Sequence, residues 1–169
     1  MSVDVIKRFV LFFIMCLVQV LLLNHFHLLG VATPLFYVYF VVTFRRGYPR
    51  WASMLWSFAL GLTIDTFSNT PGLATSSLTL IAFLQPYLLE LFVPRDAAED
   101  MHCSRKALGS MRFFWLAGII TMIYCFTFFT LEAFGFFDFF RWLMCVIGSF
   151  VLTLLLVFVA EELRISEKL

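Results

Sequence analysis

Residues 61–77 read GLTIDTFSNTPGLATSS: an apolar stretch that carries Asp65 near its end, a charge-free turn of Ser, Asn, Thr, Pro and Gly, then the start of a second apolar stretch. Pro lacks the N–H a helix needs and Gly readily leaves helical geometry, so this pattern describes two helices joined by a tight connection. A carboxylate costs roughly 2.5–3.5 kcal/mol at the centre of a bilayer on insertion scales and less near its edge. Asp65 therefore needs either a structural partner or a chemical role.

The rest of the chain decides the setting of that hairpin. Of 169 residues, 62% are hydrophobic, 19% aromatic and only 14% charged, with a mean hydropathy of +0.96. Soluble domains carry about 25% charged residues, so the composition is that of an integral membrane protein. Strict two-residue alternation is scarce, which argues against a membrane β-barrel and for an all-α fold. Six apolar runs follow one another, at about 6–23, 28–44, 51–67, 74–93, 113–131 and 139–160. About 20 helical residues cross a hydrocarbon core of about 30 Å. The second run reaches that length only if it begins near Leu28, which places Pro34 in its first turns. The expectation is a single domain, a bundle of six transmembrane helices.

Charge placement orients the bundle. Lys7 and Arg8 precede the first run; Arg45, Arg46 and Arg50 separate the second and third; Arg95, Arg105, Lys106 and Arg112 separate the fourth and fifth; Arg164 and Lys168 follow the sixth. Eleven of the twelve basic residues thus fall on one side, leaving Arg141 on the other. By the positive-inside rule both termini are cytoplasmic. Without the second run as a span, the Arg45–Arg50 cluster would lie outside. The N-terminal run lacks a small-x-small cleavage site and reads as an anchored helix rather than a signal peptide. A net charge of +1 offers no footprint for nucleic acid.

Catalytic and metal chemistry find little to work with. Cys16, Cys125 and Cys145 fall in apolar runs and Cys103 in a cytoplasmic loop, so no disulfide is expected. His25 and His27 flank Phe26 beyond the first run; with Asp65 they lack a third nitrogen or sulfur ligand, and they read as interfacial histidines. His102 has no partners in its motif. Ser149, in CVIGSF, superficially resembles an intramembrane serine nucleophile, yet the apolar runs contain no histidine to activate it. Gln85 and Pro86 interrupt the fourth run and are expected to bend its helix. No catalytic residue, cofactor or metal is expected.

Ser57, Gly61 and Asp65 recur at i, i+4 and i+8, stacking a small polar face on the third helix suited to close approach. Gln19 and Asn24, at the outer end of the first run, lie at similar depth and can line a pocket with Asp65 and Asn69. Two roles for Asp65 follow. It caps backbone N–H groups of the turn or of the fourth helix, or it belongs to a binding or partner-contact site with Ser57, Gly61, Asn69, Pro71 and Gly72.

The segments NHFHLLGVATPLFYVYF, GLTIDTFSNTPGLATSS, FLQPYLLELFVPRD and FFTLEAFG together resemble the rod shape-determining MreD family in its Bacteroidetes-type form. The likeness runs through nearly the whole chain. Its most specific element is G-L-x-x-D-x-F-S-N-T-P-G, borne by Gly61, Leu62, Asp65, Phe67, Ser68, Asn69, Thr70, Pro71 and Gly72. The resemblance implies a six-helix, multi-pass protein of the bacterial inner membrane, similar in fold to the substrate-binding subunits of energy-coupling-factor transporters. It further implies a non-catalytic scaffold of the side-wall peptidoglycan machinery. Its implied partners are MreC, the RodA glycosyltransferase, a class B penicillin-binding transpeptidase and, indirectly, the MreB filament, with membrane lipids around it. The alternative is a small-molecule or lipid-intermediate binding protein, akin to a vitamin-transporter subunit, with Gln19, Asn24, Asp65 and Asn69 lining an outward pocket. Those subunits dock through small residues on helix 1, and VIKRFVLFFIMCLVQVLLL contains no Ala, Gly or Ser.

Overall fold

A computed structural model of the chain describes residues 2–22, 33–93, 103, 108–133 and 138–166. Those residues are mostly helical, with no strand among them. The helices are α1 (Ser2–Leu17), continued by a π-helical turn (Val18–Leu22), α2 (Val38–Val42), α3 (Arg50–Ser68), α4 (Leu73–Phe92), α5 (Ser110–Glu132) and α6 (Phe139–Ser166). Among them α4, α5 and the stretch Phe139–Arg164 of α6 are each long and apolar enough to cross a membrane. Asn24, His25, His27, His102, Arg95, Arg105, Lys106 and Lys168 lie outside the described residues.

The packing order follows the chain. α3 lies against α1 and, most closely, against α4; α4 packs on α5 and α5 on α6, while α2 touches α1, α3, α4 and α5. Helical periodicity divides each element between the interior and the outside. On α6 the exposed side chains Phe140, Met144, Ile147, Val151, Leu155, Val159 and Leu163 recur every three or four residues. Val146, Ser149, Thr153, Val157 and Glu161 form the opposite, buried face. A stripe of large apolar side chains left outside a folded chain fits hydrocarbon as its solvent.

The second apolar run departs from expectation. The sequence predicts a helix over 28–44, whereas the only helix among the described residues 33–44 is the five-residue α2. Residues 33–35 are not helical, and single three-residue turns lead into α2 through N–H bonds from Val38, Tyr39 and Phe40 to the carbonyls of Leu35, Phe36 and Tyr37. The segment is the core of the molecule: Tyr37, Val38, Phe40, Val41, Val42 and Phe44 are all essentially inaccessible. Non-helical backbone at membrane depth is tolerated only when protein covers it and supplies its hydrogen bonds.

Those bonds come from side chains spaced to match. The N–H groups of Thr33 and Leu35 donate to the hydroxyls of Ser149 and Thr153 on α6, each at 3.0 Å. Two extended residues advance about 6.6 Å and four helical residues about 6 Å, so an i, i+2 pair on the segment meets an i, i+4 pair on the helix. Between them stands Pro34, which has no N–H to satisfy. Its carbonyl accepts a bond from the Gln19 side-chain amide in the π-helical turn, at 2.9 Å. At the far end Gln85 donates to the Phe44 carbonyl at 3.3 Å. The residue before Pro86 thus ties α4 to the buried segment, and α4 itself runs through Pro86 unbroken.

Candidate functional site

The α3–α4 joint is built from backbone upward. Asn69 ends α3 in a left-handed conformation, φ 55°, and its N–H bonds to the Asp65 carbonyl. Pro71 follows and cannot extend the helix. Gly72, at φ 82°, is the residue immediately before α4. A side chain added at Gly72 meets nothing within 4 Å, so glycine is favoured there for conformation, not for space.

Gly72 has no side chain to cap the helix it precedes, and Asp65 performs that service from the preceding helix. Its Oδ1 accepts the N–H of Ala74 at 2.9 Å and the Thr70 hydroxyl at 3.0 Å. Its Oδ2 accepts the N–H of Thr75 at 2.8 Å and the Thr75 hydroxyl at 2.6 Å. Four donors therefore surround a carboxylate that is only 5% exposed. The N–H groups of Ala74 and Thr75 are orphan donors of the first turn of α4, at the positive end of its dipole. A buried anion is stabilised there without a cationic side chain.

Gly61 makes the geometry attainable. A Cβ at that position would stand 2.5 Å from the Thr75 Cα and 2.8 Å from its nitrogen. Only glycine lets α3 approach the first turn of α4 closely enough for Asp65, one turn further on, to reach it. Ser57, two turns before Asp65, is fully buried, and its hydroxyl has no partner among the described residues. Its small size serves the same close packing.

The other proposed pocket residues go elsewhere. Gln19 is buried, but it donates to Pro34 rather than to Asp65, and its Oε1 has no partner among the described residues. Asn69 and Pro71 are exposed on the turn, and Asn24 lies outside the described residues. The structure thus brings Gly61, Asp65 and Gly72 together at one joint and assigns Gln19 to another. Ser149, the serine with a protease-like setting, accepts the N–H of Thr33.

Sequence reasoning missed the second polar layer. Thr153, Tyr37, Tyr124, Tyr39 and Glu161 were not singled out, yet the Tyr37 and Tyr124 hydroxyls bond to each other. Tyr39 donates to Glu161 at 2.6 Å, and Glu161 lies 3.6 Å from Arg164. The available signal was the Ser149/Thr153 spacing on an otherwise apolar helix. Cys103, read as a loop cysteine, is buried; desolvation, then the charge of Glu161, pushes its thiol up to about 12, opposed by Arg164. Among the described residues no three His, Cys, Asp or Glu side chains gather as metal ligands do.

Comparison of the chain with protein-family models, curated proteins and solved structures gave no match.

Proposed function

We propose that the chain is a non-catalytic scaffold of the bacterial inner membrane, multi-pass with both termini cytoplasmic, that works in side-wall peptidoglycan synthesis as MreD proteins do. The observation that carries this reading is the state of Asp65. The most costly polar group in the resemblance motif has all its hydrogen-bonding capacity directed at the first turn of α4 and at Thr70. A carboxylate so engaged holds two helices in register; it is not poised for proton transfer. The motif G-L-x-x-D-x-F-S-N-T-P-G then reads as an architectural signature, with Gly61 for approach, Asp65 for the cap and Gly72 for the turn.

Six passes remain compatible with a short second helix. Non-helical residues 33–35 and the three-residue turns that follow advance further per residue than the about 1.5 Å of an α-helix, so in this reading the run through Thr33 and α2 spans more than its helix length indicates. The basic clusters then all face the cytoplasm. In this account the exposed apolar faces contact lipid and the transmembrane helix of MreC, with RodA, the class B transpeptidase and MreB in the same assembly.

Co-purification tests the proposal. The tagged chain, extracted from its native host in mild detergent, is expected to bring down MreC in near-stoichiometric amount. Recovery of the folded chain without MreC, under conditions where other elongation complexes survive, would contradict it.

A further inference from the structure

Asp65 fastens the α3–α4 hairpin at one end, and near the other end the polar group within the packing is Gln85. Its side chain is only 3% exposed, on the turn of α4 that contains Pro86. A proline has no N–H to give its helix, and within a membrane that loss is made good by neighbouring helices, hydroxyl side chains or ordered water. A glutamine amide offers two N–H donors and an oxygen with two lone pairs. The bond from Gln85 Nε2 to the Phe44 carbonyl, 3.3 Å long, occupies one of those donors. Leaving the rest of a buried amide unmet is costly.

Beside Gln85 lies a cavity of about 30 Å³, between α3, α4 and the chain that leaves the buried segment. Its lining includes Phe44, Gly47, Ser53, Gln85, Pro86 and Glu90. Phe44, Ser53 and Gln85 are buried, whereas Gly47 and Glu90 are exposed, so the cavity runs inward from the surface to the amide. Ser53, on α3, donates its hydroxyl proton to the Arg50 carbonyl at 2.8 Å. Its oxygen keeps lone pairs for a further donor.

Size selects the occupant. Pockets for drug-sized molecules measure about 300–1,000 Å³, while a water needs roughly 10–15 Å³ of such space and two to four polar partners. A volume of about 30 Å³ therefore excludes an organic ligand and admits water. No cluster of metal-binding side chains lies among the described residues. We propose that this cavity holds an ordered water that accepts from the Gln85 amide and donates to the Ser53 hydroxyl oxygen. Through it α4 is joined to α3 and, by way of the Gln85–Phe44 bond, to the end of the buried segment. A bridge of this kind is enthalpically nearly as good as a direct hydrogen bond. Arg45 and Arg46 also line the cavity, and the site makes no use of their charge. The inference goes beyond the scaffold reading and does not depend on it.

The chain contains its own control, because its two glutamines are Gln19 and Gln85. Gln19 is likewise buried, with its amide N–H on the Pro34 carbonyl, but its Oε1 is sealed in without a partner among the described residues. Solid-state NMR of the full chain in lipid bilayers, with ¹⁵N on the glutamine side-chain amides, compares the two, and Gln19→Met identifies which signal is which. Transfer of magnetisation from water is expected to be several-fold faster to the Gln85 amide than to that of Gln19. In Ser53→Ala, which removes one partner of the water, transfer to Gln85 should fall several-fold. Equally slow transfer to both amides in the unaltered protein would overturn the proposal without reference to any variant's folding. So would transfer to Gln85 that is fast but unchanged in Ser53→Ala, which means loose solvent rather than a water held between the two side chains.

Discussion

Asp65 and Gly61 act on the same neighbour, Thr75, and their energies should be coupled for that reason. Asp65→Asn keeps the shape but removes the charge from a site with four donors, and is expected to lower stability by about 1–3 kcal/mol. Gly61→Ala forces a Cβ into the backbone of Thr75, and overpacking of this kind costs about 1–3 kcal/mol. Once α4 has been pushed away the cap is already weakened, so the double variant should lose clearly less than the sum of the singles. Thermal unfolding in detergent measures all three. Additivity within about 0.5 kcal/mol would mean that the two residues act independently. The cap itself was legible in the sequence as one of two roles, because an acidic residue beside a turn points to the helix that begins next. What was not legible was how the cap is reached, since it depends on α3 and α4 lying so close that a Cβ at Gly61 would stand 2.5 Å from the Thr75 Cα.

Elements show where local pattern and tertiary context part. α3, α4, α5 and α6 lie close to the runs read from hydropathy, because each needs only a long apolar stretch with helical periodicity. The second run obeyed the same statistics and folded differently. Its residues 37–44 are all buried, so periodicity there carries no information about which face meets lipid, and the partners of the non-helical Thr33 and Leu35 lie more than a hundred positions away. Ser149 and Thr153 should then behave as backbone ligands. Ser149→Ala with Thr153→Val leaves the N–H groups of Thr33 and Leu35 without acceptors, at a cost of about 1–3 kcal/mol each. Hydrogen exchange is expected to show faster exchange at Leu35 and through α2 while the α3–α4 hairpin keeps its protection. Unchanged exchange across residues 33–42 would show that the segment does not depend on these hydroxyls. Intrahelical bonding absorbs other hydroxyls quietly: Thr63, Thr66, Thr79, Thr127 and Thr130 each donate to the carbonyl four residues earlier.

At the scale of the whole molecule, polar groups hold an apolar chain in one arrangement: a capped hairpin, a broken segment stitched to α1, α4 and α6, and a basic end. The orientation proposed from the charge asymmetry puts that end in the cytoplasm, so a reporter fused at the C-terminus is expected to be cytoplasmic and one inserted after Glu132 to lie outside. A C-terminal reporter exposed outside would undo the six-pass arrangement. The proposed scaffold function makes a demand beyond folding, because a protein that only orders other membrane proteins shows its effect in them. Depletion of the chain in its native host measures this most directly, with cell shape and the position of new wall material followed together. The account predicts that rods round up as side-wall insertion stops while division continues. Cells that stay rod-shaped, with side-wall insertion at its usual rate after the chain is gone, would contradict it.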